Sequence, residues 1–183
     1  MNDPLENQLR FLRDANTENM PHSERGLFDH LLGTRQLLLE WDARPAVCDA
    51  GLFHSIYGTE HYEAKAIPTT KRDEVRQVIG EEAEALAWLF GVLERESFDE
   101  NLGLEKDFMV RHRLTGEHLS LSVAQFHDLV TMSFANTLEA FPRLRWIVRR
   151  NCRAYLRRWR AVADPRAQRA FDRYDTPAWK FWK

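Results

Sequence analysis

Two histidines stand out by their surroundings. His30 lies in FDHLLGTRQLLLEW, and His54 closes the small-residue run of AVCDAGLFHSIYGTE. On a helical period, His30 shares a face with Thr34, Leu37 and Trp41. Ala50 and Gly51 precede His54 by one turn, and residues that small let two helices approach closely. That approach would bring two imidazoles to one site. A neutral imidazole can act as a general base or ligate a metal. Ser55, Tyr57, Thr59, Glu60 and, much later, Asn136 would then supply polar groups that bind and orient a small molecule. The loop YGTEHYE adds three further potential ligands, Glu60, His61 and Glu63, and Asp128 is a fourth.

Other residues read more simply. His22, His112, His118 and His127 are expected in solvent or hairpin positions, and Trp88, Leu89 and Phe90 in the core. Cys48 and Cys152 sit among apolar neighbours in expected helices, so they read as small buried hydrophobes rather than a disulfide or a zinc site. There is no P-loop, no dinucleotide glycine fingerprint, no GxSxG and no CxxC pair.

The elements that must position these residues are mostly helices. Leu5, Leu9 and Leu12 mark a helix over 4–15. Ser23 is an expected N-cap for a helix from Leu27 to Trp41, and Pro45 suits the first turn of another over 45–56. A loop over 57–70, a short helix over 71–79 and a long one over 81–95 follow, separated at Gly80. The alternation in DFMVRHRL, the Thr115-Gly116 turn and HLSL predict a small β-hairpin near 107–121. Ser122 with Gln125 forms a capping box for a helix through Phe141. Beyond Pro142, Leu144, Val148, Cys152, Tyr155, Trp159 and Val162 make one apolar stripe, and Pro165 precedes a last helix near 166–174. The expected fold is all-α with one hairpin, in one domain spanning 1–183.

At 183 residues, 44% hydrophobic and 30% charged, the chain is long enough to bury a core and too apolar to be disordered. No apolar run approaches the roughly 18 residues of a membrane span. The first residues, MNDPLENQLRFLRDA, lack the features of a signal peptide, which makes the cytoplasm the expected location. The net charge of −2 hides an asymmetry: residues 1–142 hold 13 Lys and Arg against 25 Asp and Glu, whereas 143–183 hold 13 against 3. The favoured reading is attraction between these parts within one fold, with Arg143–Arg160 as a solvated outer face. The sequence argues against nucleic acid, because no helix-turn-helix or aromatic-interleaved basic motif accompanies the arginines. The tail with Trp179, Phe181 and Trp182 leaves open packing on its own core or on a second copy in a homo-oligomer.

His30, Thr34 one turn on, and AGLFH at 50–54 resemble the opening of the HD superfamily of metal-dependent phosphohydrolases and iron-dependent oxygenases. The hydrolase domains that act on the alarmone guanosine tetraphosphate look most similar. Their second motif runs from small apolar residues through His-Asp to an acidic-Asp-Thr triplet. Its counterpart here is His54, Ser55, Ile56, Tyr57, Gly58, Thr59, with Glu60 one place later. Their final Leu-Ala-Asp corresponds to Phe134, Ala135, Asn136. The likeness spans about residues 23–140 and implies an HD-like helical bundle. Family members hold a divalent metal with two His and two Asp. Here Ser55 and Asn136 stand where Asp belongs, and neutral oxygens are weak ligands.

Two readings of that departure compete. In one, the pocket has lost the metal, and His30, Thr34, His54, Ser55, Tyr57, Thr59 and Asn136 bind a small molecule or do metal-free acid–base work. In the other, His30 and His54 keep a divalent metal with help from Glu60, His61 and Glu63. The expected function is a small-molecule enzyme with altered or absent metal chemistry, hydrolase-like or oxygenase-like. His54 would be the general base, His30 the second imidazole, and Tyr57 with Glu60 would close over the substrate. The alternative is a non-catalytic pseudoenzyme that binds a metabolite or a protein partner.

Overall fold

A computed structural model describes residues 3–22 and 25–175. It is mostly helical, as expected. The helices are α1 (Pro4–Asp14), α2 (Leu27–Glu40), α3 (Pro45–Phe53), α4 (Arg72–Ile79), α5 (Glu81–Val92), α6 (Arg95–Asp99), α7 (Val123–Ala140), α8 (Trp146–Trp159) and α9 (Pro165–Asp175). The expected hairpin is present as β3 (Phe108–Arg111) and β4 (His118–Leu121), antiparallel with Phe108 opposite Leu121. A second, shorter ladder pairs β1 (Pro21–His22) with β2 (Arg25–Gly26). Among the described residues, no helix is long and apolar enough to cross a membrane.

The centre of the fold is α2 packed on α3 and α7, with α3 also against α5. Leu31, Leu38, Leu52, Phe53, Leu86, Phe134 and Leu138 are all buried there. Leu27, Leu31, Thr34 and Leu38 follow a three-to-four spacing, so α2 offers one continuous face to its neighbours. Gly51 lets α3 approach that face. A Cβ there would collide with Leu38, and Thr34 packs alongside. α7 opens with the expected capping box between Ser122 and Gln125.

Helix boundaries differ from expectation, and α3 stops at Phe53 rather than at 56. The N-cap of α2 is Gly26, while Ser23 lies outside the described residues. The expected helix over 81–95 stops at Val92, because Leu93 is extended and bridges to His112. The chain then restarts as α6. On α8 the expected apolar stripe holds at Cys152, Tyr155, Trp159 and Val162, which are buried or packed against the core together with Leu156, whereas Val148 is exposed, as are Trp146 and Ile147 off the stripe. The tail with Trp179, Phe181 and Trp182 lies outside the described residues.

The charge asymmetry is partly resolved inside the fold. Arg158 pairs with Asp99, Arg166 with Asp42, and Arg143 with Glu139.

Candidate functional site

α2, α3 and α7 each bring one polar side chain to a single point. His30 Nε2 lies 2.9 Å from Asn136 Oδ1 and 3.2 Å from His54 Nε2, and His54 Nε2 is 3.0 Å from the same Asn136 oxygen. His30 is 1% and His54 0% exposed. The three atoms form a nearly equilateral triangle.

The far side of each ring fixes its tautomer. His54 Nδ1 faces the Gly51 carbonyl at 2.7 Å, which can only accept, so Nδ1 carries a hydrogen. His30 Nδ1 faces Glu139 Oε2 at 2.5 Å. Glu139 Oε1 in turn accepts from Arg25 at 3.1 Å and Arg143 at 2.6 Å. Burial works against this carboxylate, yet the hydrogen bonds and charges of His30 and Arg143 hold it below its ordinary value. It is therefore ionised, and His30 donates to it. Gly33 makes room, since a Cβ there would meet the Glu139 side chain.

Each ring thus turns its Nε2 inward, towards an oxygen that accepts. At least one hydrogen must sit in the triangle. It is a proton on one Nε2, or it comes from the Asn136 amide turned to present its NH2. Burial pushes His54 well below the usual histidine value, and the neighbouring His30 adds to this.

The triangle forms the floor of a cleft of about 510 Å³, a volume typical of small-molecule sites. His30, Ser55, Thr59 and Asn136 line it, as do His22, His61, Tyr62, Arg95, Ser133 and Tyr155. α7 supplies Ser133, Asn136, Thr137 and Ala140 from one face, at three-to-four spacing. His54 is not on the wall; it lies beneath His30 and Asn136. The expected order of the two imidazoles is therefore reversed, with His30 reaching the cleft.

Three expected site residues lie elsewhere. Thr34 donates to the His30 carbonyl at 3.0 Å and packs beside Gly51, so it serves the helix crossing. Tyr57 turns away from the cleft and donates to Glu84 at 3.0 Å, where Arg72 and Arg76 also bind. Glu60 is exposed and accepts from the backbone N–H of Arg95 at 2.6 Å, which fixes the start of α6. Glu63 is exposed, and Asp128 pairs with Arg44 in a different part of the molecule.

Three residues were not anticipated. Glu139 orients His30. His22 stacks on His30 with ring centroids 4.2 Å apart. Burial, with help from His30, lowers His22 to about 4. Arg95 stands over the Phe90 ring, 4.3 Å from its centroid.

A metal reading has geometry in its favour. Ligands at right angles around an ion, each about 2.1 Å away, stand about 3 Å apart. The charges oppose it. The donors are two neutral imidazoles and a neutral amide. Glu139 lies behind His30 and already carries Arg25 and Arg143, and Arg95 stands on the wall. Such ions take three imidazoles or recruit a carboxylate. Among the described residues, no three His, Cys, Asp or Glu side chains cluster as a metal would need. The loop bearing Glu60, His61 and Glu63 does not supply the missing charge, and this donor set does not fit a resident divalent ion.

No curated protein and no solved structure matches the chain. Residues 11–95, which include His22, His30, His54 and Arg95 but stop short of Asn136 and Glu139, match a family described as a domain of unknown function (DUF6817).

Proposed function

We propose that the protein is a small-molecule enzyme of HD-like fold that has exchanged metal chemistry for proton transfer, with hydrolysis as the reaction class. The carrying observation is the triangle of His30, His54 and Asn136, in which both imidazoles have their outer nitrogens committed and turn Nε2 towards each other and the Asn136 amide. His30 faces the cleft and would take a proton from a bound water or hydroxyl. His54, 3.2 Å behind, would share that proton. Glu139 holds the His30 ring and stabilises the charge that forms, as a buried carboxylate does for a catalytic histidine elsewhere. Asn136 and Ser55 would orient the substrate from the floor.

Turnover of a panel of chromogenic esters and phosphate esters tests this. His30→Gln should lower the rate by about 10²–10⁴-fold while circular dichroism stays native. Full activity in that variant would mean that the assigned centre is wrong. Elemental analysis of the untagged protein tests the metal-free part. Near-stoichiometric metal that vanishes in a His30→Ala, His54→Ala double variant would overturn it.

A further inference from the structure

We infer that Arg95 is an anion anchor, and that the cleft takes a small molecule bearing a carboxylate or a phosphate group. This rests on reading the cleft as a small-molecule site. Arg95 lines the cleft, and among the described residues no carboxylate pairs with it. The hydrogen-bond partners of its guanidinium among the described residues are neutral hydroxyls, Ser133 Oγ at 3.5 Å and Tyr155, while Glu60 and Asp99 favour its charge from nearby without bonding it. A partly buried guanidinium with five donors and no hydrogen-bonded carboxylate has donors to spare, and a planar fork of this kind binds oxyanions in pairs of hydrogen bonds.

Its placement suits that task. The stem is fixed by the Phe90 ring beneath the guanidinium and by Glu60, which holds the Arg95 backbone N–H. Phe90 also carries the His54 ring edge-on against its other contacts, with centroids 5.1 Å apart. Ser133, which Arg95 meets, lies one turn before Asn136 on α7, so the residue that contacts the cation and the residue that completes the triangle stand about 5–6 Å apart on one helix face. An anionic group on Arg95 would leave the rest of a small ligand over His30 and Asn136. Two more wall atoms await a partner: Tyr62 Oη and His22 Nδ1 are buried and unbonded among the described residues.

Two carboxylates border the same cleft. Asp99 is occupied by Arg158 and by Trp159 Nε1, and Glu96 stands exposed at the rim. Asp99, like Glu60, favours the Arg95 charge from nearby, but none of these carboxylates hydrogen-bonds its guanidinium.

The test is calorimetric titration of the full chain with inorganic phosphate and, separately, with acetate, at low ionic strength against a matched chloride control. Wild type should bind at least one of the two. Arg95→Met, which keeps a stem over Phe90, should weaken that binding by about tenfold or more. Arg95→Lys should fall between them. The tighter of the two anions identifies the group. If neither anion binds beyond chloride, or if Arg95→Met binds as tightly as wild type, the anchor is wrong. His54→Gln separates this from failure of the proton-transfer reading. It should lose turnover yet retain the anion. Loss of turnover in His30→Gln with undiminished anion binding in Arg95→Met would remove the anchor alone.

Discussion

The molecule handles charge in two opposite ways. At the junction of α2, α3 and α7, one carboxylate and several cationic or titratable groups are withdrawn from water, and each has a geometric reason to be there. Along α8 and α9, arginines and aspartates meet in the open. Arg160 with Asp172 and Arg157 with Asp175 are surface pairs, with the arginine side chains about half exposed. Glu139 is 5% exposed, and its removal would strand His30, Arg25 and Arg143 together. The lesson is that charge density alone does not locate a site. The arginine-rich helix dominates the composition, but the chemistry collects where a few charges have lost their solvent.

The sharpest way to break this comparison is to delete one carboxylate from each region. Glu139→Ala should lower unfolding stability by about 3–5 kcal/mol, because it leaves uncompensated buried groups. A urea titration showing under about 1 kcal/mol would place Glu139 among the surface pairs. Gly51→Ala should be the next largest, about 1–3 kcal/mol, since the added methyl must displace Leu38. Ring ¹⁵N shifts of His54 should move with it, and unchanged shifts would show that the α2–α3 crossing does not set the triangle.

Acid provides a third probe. Below pH 6.5 the unfolded chain takes up protons that the folded His22 and His54 refuse, so stability should fall as pH drops. For His22 the loss is complete near pH 4. Glu139, ionised in the fold below the ordinary 4.5, adds to the loss only at the acid end. Thermal melts from pH 7.5 to 4 should show the decline, with a shallower slope in His22→Gln. A flat profile would mean that His22 is solvated. The smallest effect belongs to the surface. Asp172→Asn should leave the melting temperature within scatter and make no difference at high salt.

What the sequence made legible follows from local physics. The Ser122–Gln125 box and the hairpin each carry their signal within a few neighbouring residues, and each is where the pattern placed it. His30, His54 and Asn136 were legible as a set only through a resemblance, which linked positions that periodicity could not. Glu139 was not, because an acidic residue near a helix end reads as solvated until Arg25 arrives from 114 positions away. His22 was hidden because a two-residue ladder has no periodicity to detect. Tyr57 was misdirected for a similar reason: its partner Glu84 sits on a helix that the pattern treated as ordinary core. Arg95 fell at the end of an expected helix that in fact breaks at Leu93.

The two imidazoles also differ in how early they can be set. His54 takes its orientation from a main-chain carbonyl three residues back, on its own helix, so it is defined as soon as α3 winds. His30 waits for a side chain 109 positions downstream. On a chain emerging from its N-terminus, half of the centre is in place long before the other half exists. The triangle therefore cannot close until α7 docks, and a nascent or truncated chain lacking that helix would carry the histidines without Asn136 and Glu139.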